Sequence, residues 1–498
     1  MNTIGMQSSL NIQMLVDMRA GMNDLQRQLA TGKKADTYAG IGPSRGLTVS
    51  MRNQLSGIAG FTNTIDLVKL RVNVASTALT EIDNLARTAK QSVMQSQFEL
   101  SGGGQVMDQT LARSMLDQML GILNTPAGDR YVFSGKATDQ PPVAKTDAIM
   151  DGDGARAGLR QVIDERRQAD VGADGLGRLV LDAPAPDTVS LAEDAAGSPF
   201  GFKLESVQSS LSGATVSGPT GAPAQIELAF ASNPQPGESF GVTFTLPDGS
   251  RETVTMTATA SDTPGPGEFR IGATPDETAA NVRAGLADSV EGLASTALTA
   301  ASAVAAGDDF FNIDDANPPR RVDGPPFDTA TALRDGTPAD TVTWYTGEGG
   351  SDPARQTATG RVDQSMVVSY GTRANEEGIR LAIQNVAVYA AVTFSEGDPN
   401  AKASYEALSS RIGEGLGGKP GQQKMSDIQA EIAGAQKTAD SAKTRHLHGT
   451  AMLENFLYEI EGVTPEEVAA KFLTLQTALQ ASLQTTSMML QTNLLNYL

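Results

Sequence analysis

Apolar residues recur at steps of three and four along both ends of the chain. This spacing places their side chains on one face of an α-helix. At the amino-terminal end the pattern predicts a helix that stops at Gly32, with a stripe formed by Ile12, Leu15, Met18, Met22, Leu25 and Leu29. A loop over Tyr38–Gly46 follows this helix.

A second and longer series predicts a coiled-coil helix. It runs from Met51 to Val93 in steps of four and three residues, with Thr62 as its polar member and no proline inside it. A seam kept over so many heptads is typical of coiled coils, and its length corresponds to a rod of roughly 65 Å. Glycines at 102–104 end the series, and a shorter helix is predicted from Leu111 to Ile122.

The carboxyl-terminal end mirrors this arrangement. A stripe runs from Ile428 to Ile460, and the segment Thr464–Glu467 is a capping box with proline at the first helical position, which predicts a new helix. The apolar face of this last helix comprises Phe472, Leu475, Leu479, Leu483, Leu490 and Leu494. Because such faces need a partner, we predict that they and the first stripe form an assembly interface.

The middle of the chain has a different pattern, in which predicted strands alternate with shorter helices. Strands are predicted over Gln225–Phe230, Phe240–Leu246, Arg251–Ala258, Thr341–Tyr345 and Met366–Tyr370, and helices are predicted after the caps Thr274 and Asn375. The predicted fold class is therefore α+β. It has a long antiparallel helical coiled-coil core formed by both termini and a mixed or mostly β inserted outer module.

Charge and proline divide the chain at the same places. Of the net charge of -20, residues 1–140 carry +2, residues 141–350 carry -18 and residues 351–498 carry -4, and 18 of the 24 prolines lie in the middle segment. The predicted domains are an N-terminal helical arm (1–140), an acidic proline-rich inserted module (141–350), and a C-terminal strand–helix segment with a helical arm that completes the core (351–498). The acidity argues against nucleic acid as a partner, since phosphate binding needs clustered cations.

The sequence carries few candidates for chemistry. It has no cysteine, which excludes thiolate catalysis and cysteine-ligated metals. Gly413–Pro420 resembles a phosphate loop but has proline where the magnesium-binding hydroxyl should stand, and Asp151–Gly154 lacks the later ligands of a calcium loop and predicts a turn. His446 and His448 point apart on a helix and predict a solvent-facing surface.

Paired acids at Asp308-Asp309 and Asp314-Asp315 lack a partner base in the sequence and fit an acidic surface. We therefore predict no catalytic, cofactor-binding or metal-binding residues and a protein that is not an enzyme. No apolar run is long enough to span a membrane, so no membrane insertion is predicted. The segment Met1–Leu15 does not have the pattern of a cleaved secretory signal.

Several local motifs resemble one known family. They are LQRQLATGK at 25–33, RYVFSG at 130–135, VSYGTRANE at 368–376, LQTALQAS at 475–482 and LLNYL at 494–498. Their order and placement resemble bacterial flagellins, and most closely the hook-associated members of that family found at the hook–filament junction. One departure is Ile41-Gly42-Pro43, where the junction type has Asp-Asp-Pro.

The resemblance implies a structural subunit of the bacterial flagellum, an adaptor ring that joins hook to filament. It implies export through the flagellar type III channel without a cleaved signal peptide, an extracellular location, and assembly as a homo-oligomer. The implied partners are the hook-side junction protein, filament flagellin and a cytoplasmic export chaperone. The alternatives are a filament-forming flagellin, a flagellin-like surface protein whose insertion binds glycans or host matter, and a generic long coiled-coil protein.

Overall fold

The computed structural model describes residues 2–101 and 103–495, with side chains for 9–101 and 103–488. The helices are α1 (Asn2–Thr31), α2 (Arg45–Gln95), α3 (Met107–Leu123), α4 (Thr146–Asp151), α5 (Leu159–Val171), α6 (Pro275–Leu293), α7 (Thr299–Phe311), α8 (Glu377–Ala391), α9 (Ala401–Gly415), α10 (Met425–Glu461) and α11 (Pro465–Leu495). The strands are β1 (Leu100–Ser101), β2 (Gln105–Val106), β3 (Pro126–Ala127), β4 (Arg130–Tyr131), β5 (Leu179–Asp182), β6 (Thr188–Glu193), β7 (Lys203–Ser209), β8 (Ala214–Thr220), β9 (Gln225–Phe230), β10 (Ser239–Thr245), β11 (Arg251–Thr259), β12 (Glu268–Arg270), β13 (Arg320–Val322), β14 (Leu333–Asp335), β15 (Thr359–Arg361) and β16 (Val367–Ser369).

The chain divides into two compact units. Unit 1 takes in Met1–Leu67, Gly360–Val368 and Lys437–Leu498, and unit 2 takes in Val68–Thr359 and Ser369–Gln436. Unit 1 is therefore built mainly from segments of the amino-terminal and carboxyl-terminal parts of the chain.

In unit 1, α1 and α11 pack as an antiparallel pair. The end of α1 meets the start of α11, because the amide of Val463 donates to the carbonyl of Gly32 at 3.0 Å and the amide of Lys34 donates to the carbonyl of Glu461 at 2.7 Å. Gly32 has a φ of 67°, a left-handed conformation that favours glycine and ends α1 where the sequence predicts. The capping box also predicts correctly that α11 begins at Pro465.

Also in unit 1, the first part of α2 runs alongside the last part of α10. The guanidinium of Arg52 lies 2.6 Å from the Glu461 carboxylate, and Lys443 lies 2.5 Å from Asp66. The prediction of a solvent-facing surface is wrong for His446. Its Nε2 lies 2.7 Å from the carbonyl oxygen of Val362, and its ring stacks on Phe61. The segment that joins β15 and β16 covers this face of α10, a long-range contact that helical periodicity does not show.

The helical part of unit 2 buries the predicted coiled-coil seam. Along the part of α2 in unit 2, the buried members of the predicted stripe are Val68, Val72, Ala75, Leu79, Ile82, Ala86, Ala89 and Val93. Helix α3 packs on α8, and α7 packs on α5, α8 and α9. The heptad prediction for this part of α2 is confirmed.

The rest of unit 2 holds two four-stranded sheets, ordered β5-β6-β9-β8 and β12-β11-β10-β7. The described pairings are antiparallel except for β11 with β12, which is parallel. Both sheets and α6 share one apolar core, in which the rings of Phe202 and Phe244 lie 5.0 Å apart. Thr274 caps α6 as predicted, accepting the amide of Glu277 at 3.2 Å. The α+β fold class is confirmed.

Three local predictions are wrong. Thr341–Tyr345 forms isolated bridges rather than a strand, because Thr341 pairs with Ala157 and Tyr345 pairs with Val143, so that no single partner strand runs along the segment. Its Trp344 is buried and donates its indole N–H to the carbonyl of Phe311 at 2.8 Å. Helix α8 is preceded by Glu376, whereas Asn375 donates to the carbonyl of Ile313 at 3.2 Å. The predicted loop after α1 contains a 3₁₀ turn over Tyr38–Ser44.

A buried charge network joins α5 to α7. Arg166 pairs with Asp170 at 2.9 Å and with Asp309 at 2.7 Å, and its guanidinium lies over the ring of Phe200. Burial raises the pKa of Asp309 to about 6, and burial also raises the pKa of Asp170, although Arg166 opposes both shifts. The paired acids predicted as an acidic surface therefore include one carboxylate that is largely removed from water.

We expect Asp309 to make the free energy of unfolding fall as pH rises from about 4 to about 7. The pKa of Asp309 is raised from 3.8 to about 6 on folding. Its contribution to the free energy of unfolding is therefore fully present below pH 3.8 and is lost as the pH rises through 6. The shift corresponds to about 3 kcal/mol at most. Asp309→Asn should remove this part of the pH dependence, measured by thermal unfolding from pH 4 to 8. The exposed Asp288→Asn is the control, and equal pH profiles for wild type and Asp309→Asn would contradict the assignment.

Candidate assembly interface

The α1–α11 pair brings together most of the residues predicted as the interface. On their facing sides, the half-buried members are Leu15, Met18, Met22, Leu25, Phe472, Leu475 and Leu479. The two backbones approach closely near Gly21, where an added Cβ would lie 3.3 Å from Cδ2 of Leu475. We call these seven residues the seam of the pair.

Other predicted interface residues are exposed rather than buried in the seam. Ile12 is 58% exposed, Leu29 is 48% exposed and Leu483 is 52% exposed. Leu490 and Leu494 lie outside the residues whose side chains the structure describes. The predicted set therefore includes positions within the chain's own seam and positions on its outer surface.

Beyond Leu479 the half-buried face of α11 continues through Ser482 and Thr486, while Leu483 is exposed. The hydroxyl of Thr486 donates to the carbonyl of Ser482 at 2.8 Å, within its own helix. This part of the pair thus has hydroxyl groups in place of large apolar side chains. Burial therefore stabilises it by less free energy than it stabilises the part around Leu475.

Further exposed apolar side chains were missed because the sequence was read as one stripe per helix. They are Leu10 and Val16 on α1 and Leu473 on α11. A sequence signal for them exists, since residues 1–16 and 472–498 contain no charged side chain. A helix that is apolar on several sides and free of charge is typical of a buried environment, so these residues extend the candidate interface around the pair.

Two of the motifs meet in unit 2. The carbonyl of Phe133 accepts the amide of Ala374 at 2.9 Å, and the amide of Gly135 donates to the carbonyl of Thr372 at 3.1 Å. The hydroxyl of Thr372 donates to the carbonyl of Val132 at 2.7 Å. The RYVFSG and VSYGTRANE segments are therefore hydrogen-bonded to each other, although more than 200 residues of sequence separate them.

The remaining candidates for chemistry have structural partners. Asp151 binds Arg113 and Arg160, Asp153 binds Arg156, and Asp308 binds Arg380 at 3.0 Å. Gly413–Pro420 spans the end of α9 and the connection to α10. Over the described ranges, no cluster of His, Cys, Asp or Glu could hold a metal ion.

Residues 1–138 match the family model of the bacterial flagellin N-terminal helical region. This match supports a relationship between the amino-terminal part of the chain and the bacterial flagellins. Flagellins are structural rather than enzymatic, and the family implies self-assembly into flagellar polymers and an extracellular flagellar location. No curated protein matches the sequence.

The part of the chain that matches flagellin includes α1, α2 and α3 and extends through the RYVFSG motif. It thus contains the α1 half of the candidate interface and one of the two motifs that meet in unit 2. Helix α11, the partner of α1, lies outside the matched residues. Within the described residues, no helix has the length and apolar character needed to cross a membrane.

Proposed function

We propose that the protein is an adaptor subunit that joins the flagellar hook to the filament and assembles as a ring through α1 and α11. The observation that carries the assembly role is the set of exposed apolar side chains on α1 and α11 within residues 1–16 and 472–498, where the sequence has no charged side chain. Ile12, Leu473 and Leu483 in this set are each more than half exposed in the single chain. A group of exposed large apolar side chains is typical of an interaction site.

Assembly stabilises such a surface without desolvating charge. Neighbouring subunits would bury Leu10, Ile12, Met14 and Val16, at roughly 25 cal/mol per Å² of apolar area removed from water. Because no ionised side chain lies in residues 1–16 or 472–498, this gain is not offset by the burial of charge. The surface therefore suits a packed tube wall made of copies of the same helix pair.

The junction role rests on the two motifs. RYVFSG and VSYGTRANE are the segments that most resemble junction proteins, and their hydrogen bonds through Phe133, Thr372 and Ala374 support a shared structural role. A ring at this position would contact a hook-side junction protein on one side and filament flagellin on the other. The proposed route is export as an unfolded chain with the aid of a cytoplasmic chaperone.

Deletion of the gene tests the junction role. We expect cells with complete hooks, no filaments, and flagellin released into the medium, as seen by electron microscopy and immunoblotting. Expression of the wild-type chain from a plasmid should restore filaments, which controls for effects on neighbouring genes. Filaments of normal number and length in the deletion strain would rule out the adaptor role.

Filament-forming flagellin is the second candidate, because the same helix pair suits a filament subunit. The two functions differ in what the purified chain does alone. A filament flagellin should polymerise into tubes many subunits long when seeded, whereas an adaptor should stop at rings or short stacks. Negative-stain electron microscopy of the seeded protein separates these outcomes.

A further inference from the structure

A cavity of about 280 Å³ opens in unit 2 beside the point where the two motifs meet. Its lining includes Arg71 from α2, Arg130 and Lys136 from the RYVFSG region, and Tyr370 from the VSYGTRANE segment. Thr138, Thr357 and Thr359 also line the cavity. The cavity is thus lined by three cationic side chains, in a protein whose net charge is -20.

Two of these cations lack a carboxylate partner in the part of the chain that the structure describes. Lys136 has a carboxylate partner, Asp352, at 2.5 Å. Among the residues that the structure describes, neither Arg71 nor Arg130 lies within ion-pair distance of a carboxylate. By contrast, the nearby Arg355 and Arg373 bind Glu376 and Glu348, so pairing is usual in this region.

The position of Arg71 is set by a buried tyrosine. Its Nη1 donates to the hydroxyl oxygen of Tyr370 at 2.9 Å, and Tyr370 is only 5% exposed. With its oxygen accepting from Arg71, the Tyr370 O–H group remains available as a donor. Two arginines and a tyrosine that line one cavity offer donors suited to a carboxylate or phosphate group.

We propose that this cavity binds an anionic group and that, in the assembled flagellum, the group is a carboxylate side chain from a second copy of this chain. The inference rests on the proposed function, since it requires packed copies. Charge complementarity favours a second copy. Each copy carries a net charge of -18 within residues 141–350, so acidic side chains are abundant on neighbouring subunits, while Arg130 is exposed at the cavity. The contact would orient subunits laterally, in addition to the apolar packing of the helix pair.

The test compares four full-length chains in the deletion strain. They are the wild type, the double variant Arg71→Gln/Arg130→Gln, the conservative variant Arg71→Lys/Arg130→Lys, and the matched control Lys145→Gln/Arg283→Gln, whose two cations are exposed and lie outside the cavity. The readouts are the amount of chain in purified flagella and the thermal unfolding of each purified monomer. We expect at least tenfold less of the glutamine double variant in flagella, with the lysine variant and the control close to wild type.

Assembly of the wild type from purified chains should also weaken as NaCl rises from about 50 to about 300 mM, because salt screens ion pairs. The glutamine double variant should lose that salt dependence. Equal incorporation of wild type and glutamine variant would overturn the inference and leave the proposed function standing, whereas absence of the wild-type chain from flagella would overturn both.

Inorganic phosphate serves as the free-anion probe. If it raises the melting temperature of the wild type and not of the glutamine variant, while both assemble equally, the occupant is a free anion and the second copy is excluded.

Discussion

Leu483→Asp is expected to abolish incorporation into flagella while leaving the purified monomer as stable as the wild type. In the single chain Leu483 faces water, so a carboxylate there remains solvated. In a packed assembly the same carboxylate would enter a surface of helices without charged partners, at a cost of several kcal/mol per subunit. We expect at least a hundredfold reduction in incorporated protein, measured by immunoblotting of sheared flagella and by electron microscopy.

Two further variants separate assembly from the fold of the helix pair. Leu483→Met keeps an apolar side chain of similar volume and should assemble normally, which isolates the effect of charge. Leu479→Asp places a carboxylate in the half-buried seam and should lower both incorporation and the melting temperature of the α1–α11 pair. Normal incorporation of Leu483→Asp would show that the outer face of α11 is not an interface.

The long helices could be predicted from the sequence because their determinants are local. Apolar residues between Val68 and Val93 keep one heptad face along α2, and Pro465 marks the first residue of α11. Both features depend on residues a few positions apart, so no knowledge of the tertiary fold is needed. The same holds for Thr274, whose side chain caps α6 within one turn.

The wrong predictions concern segments whose conformation depends on distant partners. Trp344 lies in a short stretch of β-forming residues, but the two ends of this stretch pair with different segments and its indole N–H donates to the carbonyl of Phe311. His446 is polar and sits in a helix, yet it is covered by the chain around Val362. Local propensity carries no information on either contact, because each joins residues more than 30 positions apart.

The candidate interface could be predicted only in part for a related reason. Periodicity finds one apolar stripe on each helix, and the stripe of α11 includes the seam residue Leu475 as well as the exposed Leu483. It does not find a second apolar face such as that of Leu10 and Leu473, because a helix with two apolar faces has weak periodicity. The absence of charge over 1–16 and 472–498 is the better signal there.

Removal of one partner from the buried ion pair between Glu165 and Arg321 is expected to destabilise unit 2 strongly. The pair is bidentate, with Nε of Arg321 donating to Oε2 of Glu165 at 2.8 Å and Nη2 donating to Oε1, and both side chains are nearly inaccessible to water. Glu165→Ala would leave the guanidinium buried without its counter-charge. We expect a loss of about 3–5 kcal/mol in the free energy of unfolding, measured by urea denaturation with the fluorescence of Trp344.

Trp344 suits this measurement because it is the single tryptophan, is buried, and lies in the same unit as the ion pair. The matched control is Asp164→Ala, which removes an exposed partner of Arg167 from the same helix and should cost less than about 1 kcal/mol. The double variant Glu165→Leu/Arg321→Met should recover most of the lost stability, because it replaces the pair with apolar side chains and leaves no charge unpaired. If Glu165→Ala and Asp164→Ala cost the same, the ion pair does not hold α5 to β13. If Glu165→Ala is costly and the double variant recovers nothing, the loss arises from packing around Glu165 rather than from the unpaired guanidinium of Arg321.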